Sequence, residues 1–88
     1  MGYDEVVFTE HARNKMARRE IRADQVLDVL GAPETDRVVR PGRRMLQGRI
    51  LWGQTPRPFL LRVFVDVDRN PVEVVTVYLT SKFAKYEA

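Results

Sequence analysis

Arg62, Tyr78 and Thr80 sit in two apolar, β-branched runs in the last third of the chain, and His11, the one histidine, sits near its start. A guanidinium and a phenol held side by side on rigid backbone could grip a phosphate and stabilise the negative charge that builds on it under attack. An imidazole at the second position of a helix, beside N–H groups without intrahelical partners, could act as general base or help bind that phosphate. Each residue also has a plainer reading. His11 could cap its helix or hydrogen-bond a neighbouring sheet, and Tyr78 and Thr80 could be cross-strand packing on a half-exposed face. Ser81, Lys82 and Tyr86 could line the same cleft or form a solvated tail.

Arg62 and Tyr78 meet only if the stretch from Phe59 to Thr80 folds back on itself. Phe59–Asp68 and Val72–Lys82 are rich in β-branched and aromatic residues and flank Arg69-Asn70-Pro71, which reads as a β-hairpin. Pairing Asp68 with Val72 across a three-residue loop sets Leu61, Val63 and Val65 against Leu79, Val77 and Val75 on one face. Arg62, Phe64 and Asp66 then oppose Tyr78, Thr76 and Val74 on the other, with Thr80 beyond. A one-residue slip would bury Arg62 among valines, so the first register is expected.

His11 belongs to a helix expected over Glu10–Glu20, with Thr9 as N-cap and an acidic residue in the first turn. Ala12 and Met16 make its narrow apolar stripe, while His11, Lys15, Arg18 and Arg22 form a basic line beside it. Arg19 lies near the apolar stripe. It should be partly buried and find an acidic residue or helix carbonyls, a structural role before a catalytic one. Ala23–Leu30 is a second helix, with Gly31 as C′ residue and Pro33 as stop. Val6–Phe8 reads as a short edge strand or a leader into the first helix. Arg37–Arg40 and Arg44–Trp52 read as strands around Pro41-Gly42, with Gly48 marking a bulge or a close backbone approach. Gly53–Pro58 is a loop, and Ser81–Tyr86 a short helix or extended tail. The expectation is a single α+β domain over residues 1–88, with two N-terminal helices on one face of a mainly antiparallel sheet of about four strands.

Whether His11 joins Arg62 is a question of geometry. The helices should cover the apolar face, whereas Arg62, Tyr78 and Thr80 point the other way. His11 reaches them only if the helix start projects past the sheet edge.

Composition narrows the partners. At 88 residues, 44% hydrophobic and 31% charged, the chain has the make-up of an ordinary globular domain. No apolar run is long enough to span a membrane, no signal-peptide pattern opens the chain, and no cysteine is present, which together point to the cytoplasm. One histidine and no thiolate leave little for a zinc site, so neither metal nor cofactor is expected. The net charge of +3 understates a local asymmetry: from Arg37 to Arg62 there are seven arginines and no acidic residue. Arginine's planar fork suits phosphate, so a polyanion partner, RNA or an acidic protein, is implied beside the plainer reading of a solvated basic surface.

The motif His11-Ala12…Met16…Arg19…Ile21, together with Val75-Thr76-Val77-Tyr78…Thr80-Ser81-Lys82…Tyr86, resembles an uncharacterised bacterial family registered as a domain of unknown function. That family looks like a branch of the RelE-like and barnase-like ribonuclease toxins. Glu20 stands where the family usually has glycine, and Arg22 where it has a small hydroxyl residue; both concern the turn between the helices. The resemblance implies a RelE-like fold and membership of a ribonuclease-like superfamily. Taken with the arginine-rich, acid-free middle and the lack of a metal constellation, it leads to the expectation of a metal-independent endoribonuclease, with RNA, including ribosome-bound messenger, as substrate and an acidic antitoxin as partner. The site residues expected for it are His11, Arg62, Tyr78 and Thr80 for catalysis, and Arg19, Arg49, Ser81, Lys82 and Tyr86 for RNA contact. The alternative is a basic module that binds nucleic acid or an antitoxin without chemistry.

Overall fold

A computed structural model describes residues 5–87. They form β1 (Val6–Phe8), α1 (Glu10–Arg18), α2 (Ala23–Gly31), β2 (Thr35–Arg40), β3 (Arg43–Trp52), β4 (Arg57–Asp66), β5 (Val72–Thr80) and α3 (Phe83–Tyr86). The strands make one sheet in the order β1-β5-β4-β3-β2, antiparallel except for β1, which runs parallel to β5. The α+β class is the expected one. The sheet has five strands rather than about four, because Val6 and Phe8 lie half-buried against the core and draw β1 onto the edge of β5.

The inner face carries Leu46, Leu61, Val63, Val65, Val74, Val77 and Leu79, packed under Ala12 and Met16 of α1 and Val26, Val29 and Leu30 of α2. Fully burying each large aliphatic side chain contributes about 1.5–3 kcal/mol relative to leaving it exposed, so this layer fixes which way the sheet faces. Val29 lies over Gly48, 3.7 Å from where a Cβ would stand, and the β3–β4 register runs through that glycine without a break. Gly48 thus marks a close approach of α2 and not a bulge. Gly31 is the last residue of its helix, and Ala32 takes the cap.

The hairpin register has two phases. Leu61 faces Leu79, Arg62 faces Tyr78, Val63 faces Val77 and Phe64 faces Thr76. Val65 then faces Val74 and Asp66 faces Glu73, so Val75 is one residue extra and the strand bulges there. The expected pairing of Val65 with Val75 is replaced, and Val74 is the residue sealed in the core. The bulge answers a conflict in the sequence. Strict alternation cannot bury both Val74 and Val77, and the extra residue restores phase. The loop lengthens accordingly to residues 67–71, where the Val67 N–H is tied to the Gly42 carbonyl at 2.9 Å.

The turn between α1 and α2 is tight because Glu20 adopts a left-handed conformation, φ +53°. A side chain there is strained, and glycine is the residue that fits. Arg22 is the N-cap of α2, and its N–H donates to Gln25 Oε1 at 2.9 Å. That is half of a capping box; the guanidinium carries only donors and cannot supply the other half. Glu20→Gly is therefore expected to stabilise the fold by about 0.5–1 kcal/mol, and Arg22→Ser by about 1 kcal/mol despite losing an exposed ion pair to Asp24. Urea denaturation of the two variants checks both; a destabilised Glu20→Gly protein would contradict the turn geometry.

Candidate functional site

The outer face, opposite α1 and α2, is ordered in rows by the strand register. Arg49, Leu60 and Thr80 form one row, Gln47, Arg62 and Tyr78 the next, and Met45, Phe64 and Thr76 a third. The helix α3 folds onto the first two. Gln47, almost wholly buried, donates from Nε2 to the Tyr86 carbonyl at 2.9 Å and accepts from Arg62 Nε at 3.0 Å. The Arg62 guanidinium stacks on the Tyr86 ring, 4.3 Å from its centroid. Its terminal nitrogens have no protein partner among the described residues, where no buried polar side-chain atom is left unpaired, so they reach solvent. A cationic donor pair at the mouth of a part-buried stack has the chemistry to hold an anion.

At the other edge α1 supplies His11. The Thr9 N–H donates to the Val74 carbonyl at 3.0 Å. Its hydroxyl donates to the carbonyl of the bulged Val75 at 3.2 Å and accepts the Ala12 N–H at 3.1 Å. Thr9 therefore caps α1 and fastens it to β5 at once. Two residues later His11 Nε2 lies 3.1 Å from Thr76 Oγ1, on the outer face. One turn further, Lys15 Nζ stands 5.7 Å from the centre of the Tyr78 ring. The helix start does project past the sheet edge, and the apolar and basic stripes of α1 straddle it.

Tyr78 and Tyr86 meet edge to face, 5.8 Å between ring centres. Their hydroxyls interact and titrate apart. The Tyr86 phenol is pushed below its ordinary range, first by the hydrogen bond from Tyr78 and further by the positive charges of Lys85 and Arg62. Tyr78 is pushed up, first by that same hydrogen bond and by the charge Tyr86 would carry, and is held protonated beside it. One phenol is thereby the readier proton donor and the other a persistent hydrogen-bond donor.

Of the expected site residues, His11, Arg62, Tyr78 and Tyr86 come together on this face. Thr80 shares it but is buried, and its hydroxyl accepts the Lys82 N–H at 3.0 Å as the chain turns into α3, which gives it a structural role. Ser81 and Lys82 are exposed on that turn. Arg49 is held by both oxygens of Glu87, at 3.1 and 2.7 Å, and lies over Phe83, so it fastens α3. Arg19 is exposed rather than partly buried. Its carbonyl, not its guanidinium, takes the structural contact, accepting from Trp52 Nε1 at 2.9 Å. Gln47 is a further residue of this face, and its only mark in the sequence is a glutamine on the strand positions that alternate with Leu46 and Gly48, between Met45 and Arg49.

A family profile described only as a domain of unknown function, DUF4258, matches residues 8–79. The chain belongs to the DUF4258 family. The DUF4258 span carries His11, Arg62, Thr76 and Tyr78, while Thr80, α3 and Tyr86 follow it. No curated protein and no solved structure matches the chain. Within this DUF4258 domain no helix among the described residues is long and apolar enough to cross a membrane.

If Thr9 fixes the start of α1, Thr9→Ala should destabilise the domain by about 1 kcal/mol, the usual cost of a lost N-cap. It should also weaken the His11–Thr76 contact, seen as a shift of the His11 ring resonances toward those of a Thr76→Val protein. Thr9→Ser should do neither. An unperturbed His11 in the folded Thr9→Ala protein would show that another contact holds the helix start.

Proposed function

We propose that this chain is a RelE-like endoribonuclease that works without metal, the toxin of a toxin–antitoxin pair with RNA as substrate and an acidic antitoxin as partner. The observation that carries the reading is the meeting of His11 with Thr76 on the face that also bears Arg62, Tyr78 and Tyr86. It gathers a base, a proton donor and cationic stabilisation from three separate elements. After the short edge strand β1, two helices followed by four strands in antiparallel succession support the RelE-like assignment.

The reaction that fits is attack of a ribose 2′-oxygen on the adjacent phosphorus. His11 takes the 2′-hydroxyl proton, the new O–P bond closes a 2′,3′-cyclic phosphate, and the bond to the 5′-oxygen breaks. Tyr86 gives its proton to that leaving oxygen, leaving a 5′-hydroxyl product. The terminal nitrogens of Arg62 bind the non-bridging oxygens as charge gathers on them, and Tyr78 donates to the Tyr86 phenolate until it is reprotonated. Lys15 and Arg19, exposed or half-exposed along the same edge, draw the polyanion in.

A second reading, binding without chemistry, draws on one observation: Arg62 is already engaged by Gln47 and Tyr86. Both readings meet in one experiment, incubation of the purified protein with RNA in EDTA, with and without ribosomes. Cleavage to cyclic-phosphate ends is expected. His11→Ala and Arg62→Ala should each lower the rate on the order of 100-fold with the circular dichroism spectrum intact. Because Tyr86 acts protonated and its pKa is lowered, the rate should fall as pH rises through that pKa, and Tyr86→Phe should lose this alkaline limb. Salt-sensitive binding without products would favour the second reading, and intact, unbound RNA would dismiss both.

A further inference from the structure

The third row of the outer face continues beyond the candidate site. Thr76 faces Phe64, Phe64 faces Met45, and Met45 faces Arg37 on β2. His11 closes one end of this row and Arg37 the other. The contacts of α3 fall on Gln47, Arg49, Arg62 and Tyr78, in the first two rows, and the ring of Phe64 is half-buried, with the Arg62 guanidinium 5.6 Å from its centre on the side toward the candidate site.

A second bulge shapes the far end. Val38 pairs with Arg44 and Arg40 with Arg43, so Val39 is one residue extra in β2. Regular alternation would set Arg37 and Arg40 on opposite faces. The extra residue brings both to the outer face, where Arg43 faces Asp66. Arg43 is neutralised there by a bidentate pair with Asp66, at 2.7 and 3.1 Å. Arg37 makes no ion pair among the described residues, and Arg40 donates only to the Pro41 carbonyl, at 3.4 Å, while its charge adds to that of Arg43 in holding Asp66 ionised. Two exposed guanidinium groups on one face, three strand spacings or about 14 Å from β5, form a basic margin in which neither side chain is held by a salt bridge among the described residues.

We infer that this row is the track for the nucleotides flanking the scissile one. It rests on the RNA-cleavage reading and extends it to the substrate class, an extended single strand. With the reacting phosphate between His11 and Arg62, the strand runs along the row, one base stacks on Phe64, and phosphates beyond it meet Arg37 and Arg40. A duplex cannot follow this course, because its bases are paired and unavailable to an aromatic side chain on a sheet. The contacts are to backbone and to a ring face, so the track is tolerant of sequence.

Fluorescence anisotropy with uncleavable 2′-O-methyl RNA tests the track apart from the chemistry. A dinucleotide is compared with hexanucleotides extended in the 5′ or the 3′ direction. One extension should tighten binding on the order of tenfold. The Arg37→Ser, Arg40→Ser double variant should lose that gain, leave dinucleotide binding unchanged, and reduce the log–log salt slope by about 1.4, the value for two single-strand phosphate contacts. Phe64→Leu should lose part of the gain at unchanged salt slope. Equal binding of all lengths, or a gain that survives in the double variant, would overturn the track while leaving the cleavage reading in place. Equal binding of duplex RNA, or full competition by polyglutamate at matched charge, would also overturn it, the latter pointing to an acidic protein. Failure of every length to bind would remove the RNA reading and the track together.

Discussion

The geometry depends most on one extra residue. The bulge at Val75 lets β5 bury Val74 and Val77 on the inner face while Thr76 and Tyr78 stay on the outer. A bulge also leaves a carbonyl out of the ladder, and a polar group at a packed edge must find a partner. The Thr9 hydroxyl is that partner, at 3.2 Å. Because Thr9 is also the N-cap of α1, the demand for one hydrogen bond fixes where the helix begins and how it is rolled. His11 and Lys15 then stand over the edge of the sheet, while Ala12 and Met16 face the core.

The outer face is finished by the C-terminal helix. A four-residue helix has little intrinsic stability, and α3 is held by tertiary contacts: Gln47 to the Tyr86 carbonyl, Arg49 to Glu87, and Arg62 under the Tyr86 ring. Gln47 is the pivot of this set. Its amide lies at the centre of a sheet, where an unmet donor or acceptor costs on the order of 1–3 kcal/mol, and both ends are satisfied by groups of the site. The same contacts that seat α3 orient the guanidinium of Arg62 and bring Tyr86 against Tyr78. Packing and site geometry are therefore one arrangement on this face.

Much of this was legible in the sequence. The run of β-branched residues on either side of Arg69-Asn70-Pro71 shows the hairpin, and the cost of burying Arg62 selects the register that faces it with Tyr78. Thr9 and Glu10 mark the start of α1 within one residue. Glu20 in place of glycine marks the strained turn that the backbone shows at φ +53°. The rest was hidden for physical reasons. A bulge leaves no composition signal in a run of valines, because Val74 and Val75 are equally suited to burial and only the three-dimensional phase decides between them. Thr80 and Arg49 have the chemistry of site residues, and a hydroxyl or guanidinium engaged by local structure looks no different in a sequence from one left open. The role of Gln47 comes from a neighbour thirty-nine positions away, Tyr86, which no local pattern announces.

The central claim is that α1, the β4–β5 hairpin and α3 build one anion-binding site. NMR titration with an uncleavable 2′-O-methyl dinucleotide, following the ring signals of His11, Tyr78 and Tyr86 and the Nε–Hε signal of Arg62, addresses it most directly. All four should move together along a single binding curve with one dissociation constant, weakening as salt is raised. Perturbation of Arg62 and Tyr86 with His11 unmoved, or separate curves for the two groups, would show that the face holds neighbouring contacts and not one site.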